Sequence, residues 1–209
     1  MVVADIGRGT RAICPTRAPA LLLKPGSPQA SQIAGAAIVH VDQAGYGPIA
    51  AFRSAGQPWP PLSVDAGNAI EGLDVSHVSL FVPTLARLAA MFGGGDGRIL
   101  LARVAGPDWV VATAGAAGAY FRGDAGVYHV PAYRRSVCVS TLGAGDVFHG
   151  ALIAAWVRGM KLPEAVAYAG IAASLSCAAI DGRSAIPDHA TVMDALPGQV
   201  ATLKKLTEV

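Results

Sequence analysis

Ser140-Thr-Leu-Gly-Ala-Gly-Asp-Val-Phe-His-Gly150 is the stretch on which the reading of the fold turns. Three small residues in a row precede an aspartate, and the run after it has helical character. A Gly-Ala-Gly turn entering a helix leaves several backbone N–H groups without intrahelical partners. Small residues let a ligand approach that backbone closely, and the helix dipole adds positive potential at the same place. Together these make a site for anionic oxygens such as those of a phosphate. Asp146 beside such a cradle is badly placed to hold phosphate, because like charges repel. It is well placed to accept a proton from a hydroxyl attacking that phosphate. The plain alternative is that Asp146 only caps the helix and complements its dipole. The surrounding sequence decides between the two.

Downstream of Asp146 the pattern is helical throughout. One helix runs to about Arg158, with Gly159 as its stop. A second runs from Leu162, with Pro163 in its first turn, to about Ala179. Its only charge is Glu164, so most of its faces should be buried. A last amphipathic piece starts after Pro187, with Asp188 as N-cap. Upstream, short alternating runs between Ala119 and Val139, separated by Gly and Pro, read as an antiparallel meander. The middle of the chain alternates. Strands are expected at Ala37–Val41, Leu62–Asp65, His77–Val82, Ile99–Arg103 and Trp109–Thr113, and helices from Tyr46 to Ser54 and from Pro83 to Met91. Such alternation argues for α/β with a parallel sheet. Ser27-Pro-Gln-Ala-Ser can open a short helix, and Val2–Ile6 with Thr10–Cys14 reads as a hairpin. No repeat and no domain linker is evident.

Composition bounds the function. The chain has 209 residues, 53% hydrophobic and 14% charged, with a formal net charge of +2. That fits one compact domain and argues against nucleic acid or an anionic membrane as partner. No uninterrupted apolar span is long enough to cross a bilayer, and Met1–Arg11 lacks the pattern of a signal peptide. The three cysteines are odd in number and widely spaced, without a CxxC, which fits reduced thiols in a cytoplasmic protein. The five histidines are scattered singly, so no imidazole metal cluster is expected and no metal ligand is assigned.

The 140–150 stretch resembles the second signature of the PfkB, or ribokinase-like, carbohydrate kinase family, which runs roughly D-T-x-G-A-G-D-x-F-x-G. The two helices and closing loop that follow, and VHVDQAGYGPIAAF and LSVDAGN ahead of it, are similar to the same family. Thr113-Ala-Gly-Ala-Ala-Gly118 resembles its T-x-G-x-x-G loop. The resemblance covers residues from about 35 to 190. It implies a ribokinase-like three-layer α/β/α fold with a mostly parallel central sheet and a small partial β lid, to which residues 1–16 would contribute. It also implies ATP-dependent phosphoryl transfer to a hydroxyl of a small sugar-like substrate. Asp146 would be the general base, and the N–H groups of Gly143, Ala144 and Gly145 the anion hole. Thr113, Gly115 and Gly118 would touch the nucleotide, with Gly170 near adenine and Mg2+ bridging the ATP phosphates. Lid strands in this family often pair between subunits, which makes a homodimer the partner to look for.

Three departures bear on that implication. Ser140 stands where the family usually carries an Asp that helps bind a monovalent cation, so activation by such a cation is in doubt. The N-x-x-E that often organises magnesium-bound water is replaced by Ser79-Leu-Phe-Val82, and Asn68-Ala-Ile-Glu71 is read as a chance match. The family's first sugar-binding segment, with its glycine pair and aspartate, has no counterpart, so the chain is expected to begin inside the domain. A non-catalytic nucleotide-binding or assembly protein is therefore the competing reading. An oxidoreductase of Rossmann type fails for want of a dinucleotide fingerprint after an early strand. Asp42, Asp65 and His149 are secondary candidates, the aspartates because they end strands; His149 is read first as packed or solvated.

Overall fold

The computed structural model describes residues 2–5, 10–13, 23–24, 26–53, 59–134 and 138–206. The expected hairpin forms as β1 (Val2–Asp5) and β2 (Thr10–Ile13), paired antiparallel with Val2 opposite Ile13. It makes a two-stranded sheet of its own. The turn between the strands and Cys14 lie outside the described residues, as do the expected breakers Gly56 and Pro58.

A seven-stranded sheet organises the rest, in strict chain order from β3 to β9. Its first half is parallel: β3 (Val39–Val41), β4 (Leu62–Ala66), β5 (Leu80–Pro83) and β6 (Trp109–Thr113). In its second half the expected meander supplies β7 (Ala119–Gly123) and β8 (Gly126–Val130), joined by a tight turn. Cys138 and Val139 of the third expected run are not in a strand. The next strand is instead the unexpected β9 (Lys204–Lys205), and all three pairings are antiparallel. Both residues of β9 are exposed lysines. The sheet is buried on both faces, so alternate residues of one strand feed different cores. Leu80, Val82, Val111 and Phe121 point to one, and Phe81, Val110 and Ala112 to the other. Phe81 and Phe121 are fully buried, each worth about 1.5–3 kcal/mol relative to exposure.

Helices α1 (Pro28–Ala34, capped by the Ser27 hydroxyl), α2 (Tyr46–Arg53), α3 (Leu85–Phe92) and α4 (Gly97–Ala102) accompany the Phe81 face. On the other face lie α5 (Ala144–Val157), α6 (Leu162–Ser176) and α7 (His189–Val200). This is the three-layer ribokinase-like arrangement, with the parallel half of the sheet carrying the site. As its composition predicts, α6 is buried on nearly every side, from Leu162 to Ser176. Asp188 caps α7 through the Thr191 N–H at 2.8 Å.

Two expectations are corrected. Ile99–Arg103 is not a strand but most of α4. Asp96 supplies the reason, since its carboxylate accepts the Ile99 N–H at 2.9 Å and so starts a helix. The apolar part of the run, residues 99–102, is short, with Leu100 and Leu101 fully buried, and such runs do not distinguish helix from strand by period. His77 does not begin β5 either. It closes a single 3-10 turn, Val75–His77, started by the Asp74 carboxylate on the Ser76 N–H.

Candidate active site

The parallel strands end together at one edge of the sheet, and the first turn of α5 arrives at that edge. Asp42 follows β3 there, and Asp65 is the last residue but one of β4. Thr113 ends β6, bridged to Thr84 after β5.

Gly143 caps α5 with φ 77°, left-handed backbone that a residue with a Cβ resists. The Ala144 N–H reaches back to the Thr141 carbonyl at 3.3 Å. Gly145 and Asp146 lie in the first turn of α5, where N–H groups have no acceptor within their own helix. Of the three expected anion-hole donors, Ala144 is thus partly engaged, while Asp146 adds an amide of its own. Ser140 accepts the Leu142 N–H through its hydroxyl at 3.1 Å and stabilises the turn ahead of the helix.

The wall opposite this mouth is the 181–187 loop. Gly182, at φ 69°, lies directly on Leu142 and Gly143; a Cβ there would collide with the Leu142 carbonyl oxygen. Asp181 shapes the loop by accepting the Ser184 hydroxyl at 2.5 Å and the Ser184 and Arg183 N–H groups at 2.9 and 3.0 Å. These bonds, the Ser184 hydroxyl first, hold its carboxyl down to about 2. Mouth and loop enclose a cavity of about 680 Å³, lined by Gly143, Asp146, Gly182 and Arg183 and by apolar surface that includes Ile186, 51% exposed.

Asp146 also lines a second cavity, of about 610 Å³, on the side of β3 and β4. There it meets His40, Asp42, Asp65 and His149, with an apolar wall that includes Val41 and Ile49. His149 lies one turn beyond Asp146 on α5 and is 6% exposed. Its Nε2 stands 3.4 Å from Asp65 Oδ2, and its buried Nδ1 has no hydrogen-bond partner. His40 sits 5.4 Å away, ring centre to ring centre, with Nδ1 3.0 Å from the Ser63 hydroxyl. Burial pushes the His149 pKa down, against the opposing pull of Asp65. Desolvation lowers that of His40 likewise, opposed by Asp65 and Asp42. Asp65 Oδ1 accepts the Gly67 N–H at 2.8 Å, and Asp42 Oδ1 accepts the Ala44 and Gly45 N–H groups at 2.9 and 3.1 Å.

The remaining candidates lie apart from both cavities. Gly115 is in a 3-10 turn and Gly118 follows it at φ 96°, pressed against β8 so closely that a Cβ would overlap the Val130 carbonyl. His129 of β8 braces this turn through the Ala117 carbonyl at 2.7 Å. Thr113, Gly115, Gly118 and Gly170 are not among the described residues that line either cavity, nor are Ala144 and Gly145 of the helix mouth; on α6 it is Tyr168 and Ala172 that reach the first. Asn68 of the N-x-x-E look-alike is bound by Gln43 at 3.3 Å, while Glu71 is exposed. Among the described residues no group of three or more His, Cys, Asp or Glu could hold a metal ion. No described helix is long and apolar enough to cross a membrane. Cys138 and Cys177 are free thiols.

Sequence reading passed over His40, the Asp65–His149 contact and the 181–183 wall. The available signal for His40 was a polar residue inside an otherwise apolar strand. For the wall it was Asp-Gly-Arg-Ser, an Asp-initiated turn just ahead of a proline.

Known proteins share this architecture. The structure resembles an Agrobacterium tumefaciens protein classed as a ribokinase, with a TM-score of 0.73 and 26% identity over 93% of this chain and 66% of that one. It resembles Arabidopsis thaliana ribokinase complexed with ribose and ATP, with a TM-score of 0.68 and 22% identity over 81% and 59% of the two chains. An E. coli protein classed as ribokinase II, in complex with ATP and Mg2+, gives 0.62 and 16% over 78% and 59%. The chain thus spans 59–66% of the length of these solved relatives. The profile of the pfkB family of carbohydrate kinases matches residues 24–189. With its ribokinase-like sheet and the Gly-Ala-Gly-Asp turn at the sheet's carboxyl edge, the chain belongs to the pfkB carbohydrate kinase family.

Proposed function

We propose that this protein transfers the γ-phosphoryl group of ATP to a hydroxyl of a sugar-like acceptor, with the nucleotide in the 680 Å³ cavity and the acceptor in the 610 Å³ cavity. One observation carries the reading: Asp146 lines both cavities, so a carboxylate stands at the passage between them. The amide-lined helix mouth suits phosphate oxygens, and Arg183 adds a positive charge on the same side. The exposed face of Ile186 suits a flat base.

In the reaction Asp146 takes the proton of the acceptor hydroxyl. That oxygen bonds to the γ-phosphorus as the bond from phosphorus to the β–γ bridging oxygen breaks, and ADP leaves with the electron pair. The first-turn N–H groups of Gly143, Gly145 and Asp146 hold the equatorial oxygens, where charge gathers in the transition state. Mg2+ would arrive on the nucleotide, since the described side chains form no cage for it and this ion commonly rides on substrate phosphates. It would supply charge neutralisation between the phosphates. The hairpin of β1 and β2 is assigned as lid, and Thr113, Gly115 and Gly118 as an outer contact for the nucleotide.

The alternative, nucleotide binding without turnover, draws on β5. Its four residues are all buried and offer no Asn or Glu to organise water. ADP release measured over a panel of sugars, alongside calorimetric ATP binding, separates the two. Binding with no ADP release above the sugar-free rate, for any acceptor, would leave only the alternative.

A further inference from the structure

We propose that the second cavity selects an acceptor without an anionic group, a neutral polyol or its amino derivative, and turns away sugars that already carry a phosphate or carboxylate. This deepens the kinase reading and rests on it.

The polar half of the cavity is built from Asp42, Asp65 and Asp146 with the imidazoles of His40 and His149. None of its described lining residues is a lysine or arginine. Both imidazoles have depressed pKa values through loss of solvent, so at neutral pH neither offsets the carboxylates. The carboxylates are fixed from behind by backbone: Asp42 by the Ala44 and Gly45 N–H groups, Asp65 by that of Gly67. Hydroxyl and ammonium groups can donate to the oxygens that remain, and an anion can only be repelled by them. His149 Nδ1, buried and unpartnered, marks a polar demand that the protein does not meet itself. Opposite, Val41, Ile49 and Ile33 give an apolar wall for the C–H face of a sugar. The first cavity differs in having a cation: Arg183 stands there beside the Asp146 and Asp181 carboxylates.

The test uses the full chain with ATP and four probes: D-ribose, D-fructose, D-fructose 6-phosphate and D-gluconate. Neutral sugars should be turned over with kcat/KM at least about 100-fold above either anion, given the several-kcal/mol scale of like-charge contacts. Comparable use of an anionic probe overturns the inference and leaves the kinase reading standing. No turnover with any probe overturns the kinase reading, and binding of the same probes by saturation-transfer NMR then decides the inference. A bound neutral sugar with excluded anions upholds it; equal binding, or none, overturns it. Asp42→Asn and Asp65→Asn, each checked for native ATP binding, should narrow the discrimination by about tenfold or more. Unchanged discrimination in both would show that these charges do not set it.

Discussion

The two sides of Asp146 are made of different material. Toward the first cavity the site is mainly shaped by backbone: the Gly143 turn and a glycine-bearing loop whose shape Asp181 fixes, with Arg183 on it. Toward the second it is side chain: two imidazoles and two further carboxylates, drawn from β3 and the turn after it, β4 and α5. A backbone site tolerates little change in shape, because the group that binds is the same in every residue and only its path matters. A side-chain site keeps its shape under substitution and changes its chemistry instead. Damage should therefore take different forms on the two sides.

The largest effect is expected where the sides meet. Asp146→Asn should lower turnover by about 10²–10⁴-fold, while ATP affinity by calorimetry stays within about twofold. An unaltered kcat would remove the assigned role altogether. Next comes Gly182→Ala, which adds a Cβ against the Leu142 carbonyl at left-handed φ. Urea unfolding should show a loss of about 1–3 kcal/mol, and ATP affinity should fall more than acceptor affinity. If both affinities drop together, the two sides are not separable in the way described.

The side-chain half should declare itself through pH. His40 and His149 have folded pKa values below the ordinary 6.5, so in the unfolded chain they take up protons first as pH falls. Stability is then full above 6.5 and declines as pH drops through that value toward the folded pKa values. Melting temperatures from pH 8 to pH 5 should trace this decline, and His149→Gln should make it shallower. An identical slope in that variant would place the sensitivity elsewhere. The smallest effect belongs to Arg183→Ala. An exposed charge should change the KM for ATP by no more than about fivefold, less at high salt, with kcat unchanged; a large fall in kcat would instead put Arg183 at the reacting phosphoryl group.

The same contrast governs what could be read in the amino-acid sequence. A backbone site must be written contiguously, and Gly143-Ala-Gly-Asp146 announces itself together with the helix it opens. The strand ends were also legible, because β6 is a mostly apolar run and β4 alternates apolar with polar residues, both of strand length between turn residues. The second cavity was not. His40 and His149 are more than one hundred residues apart in sequence and become neighbours only through the sheet. Nor was α4, a six-residue helix too short for the period that separates helix from strand to show. Gly118 illustrates a partial reading: the glycine was noticed as part of a nucleotide loop, while the close approach of the Val130 carbonyl, which by itself requires a glycine there, appears only in three dimensions.

The sheet's last strand is two exposed lysines long. An open β border invites another polypeptide to lengthen the ladder, and here the invitation is slight: few peptide groups to pair with, and a pair of ammonium ions that would have to shed their water first. On this flank, protection against runaway stacking is written into the border strand itself, in the charge of its residues and in its brevity.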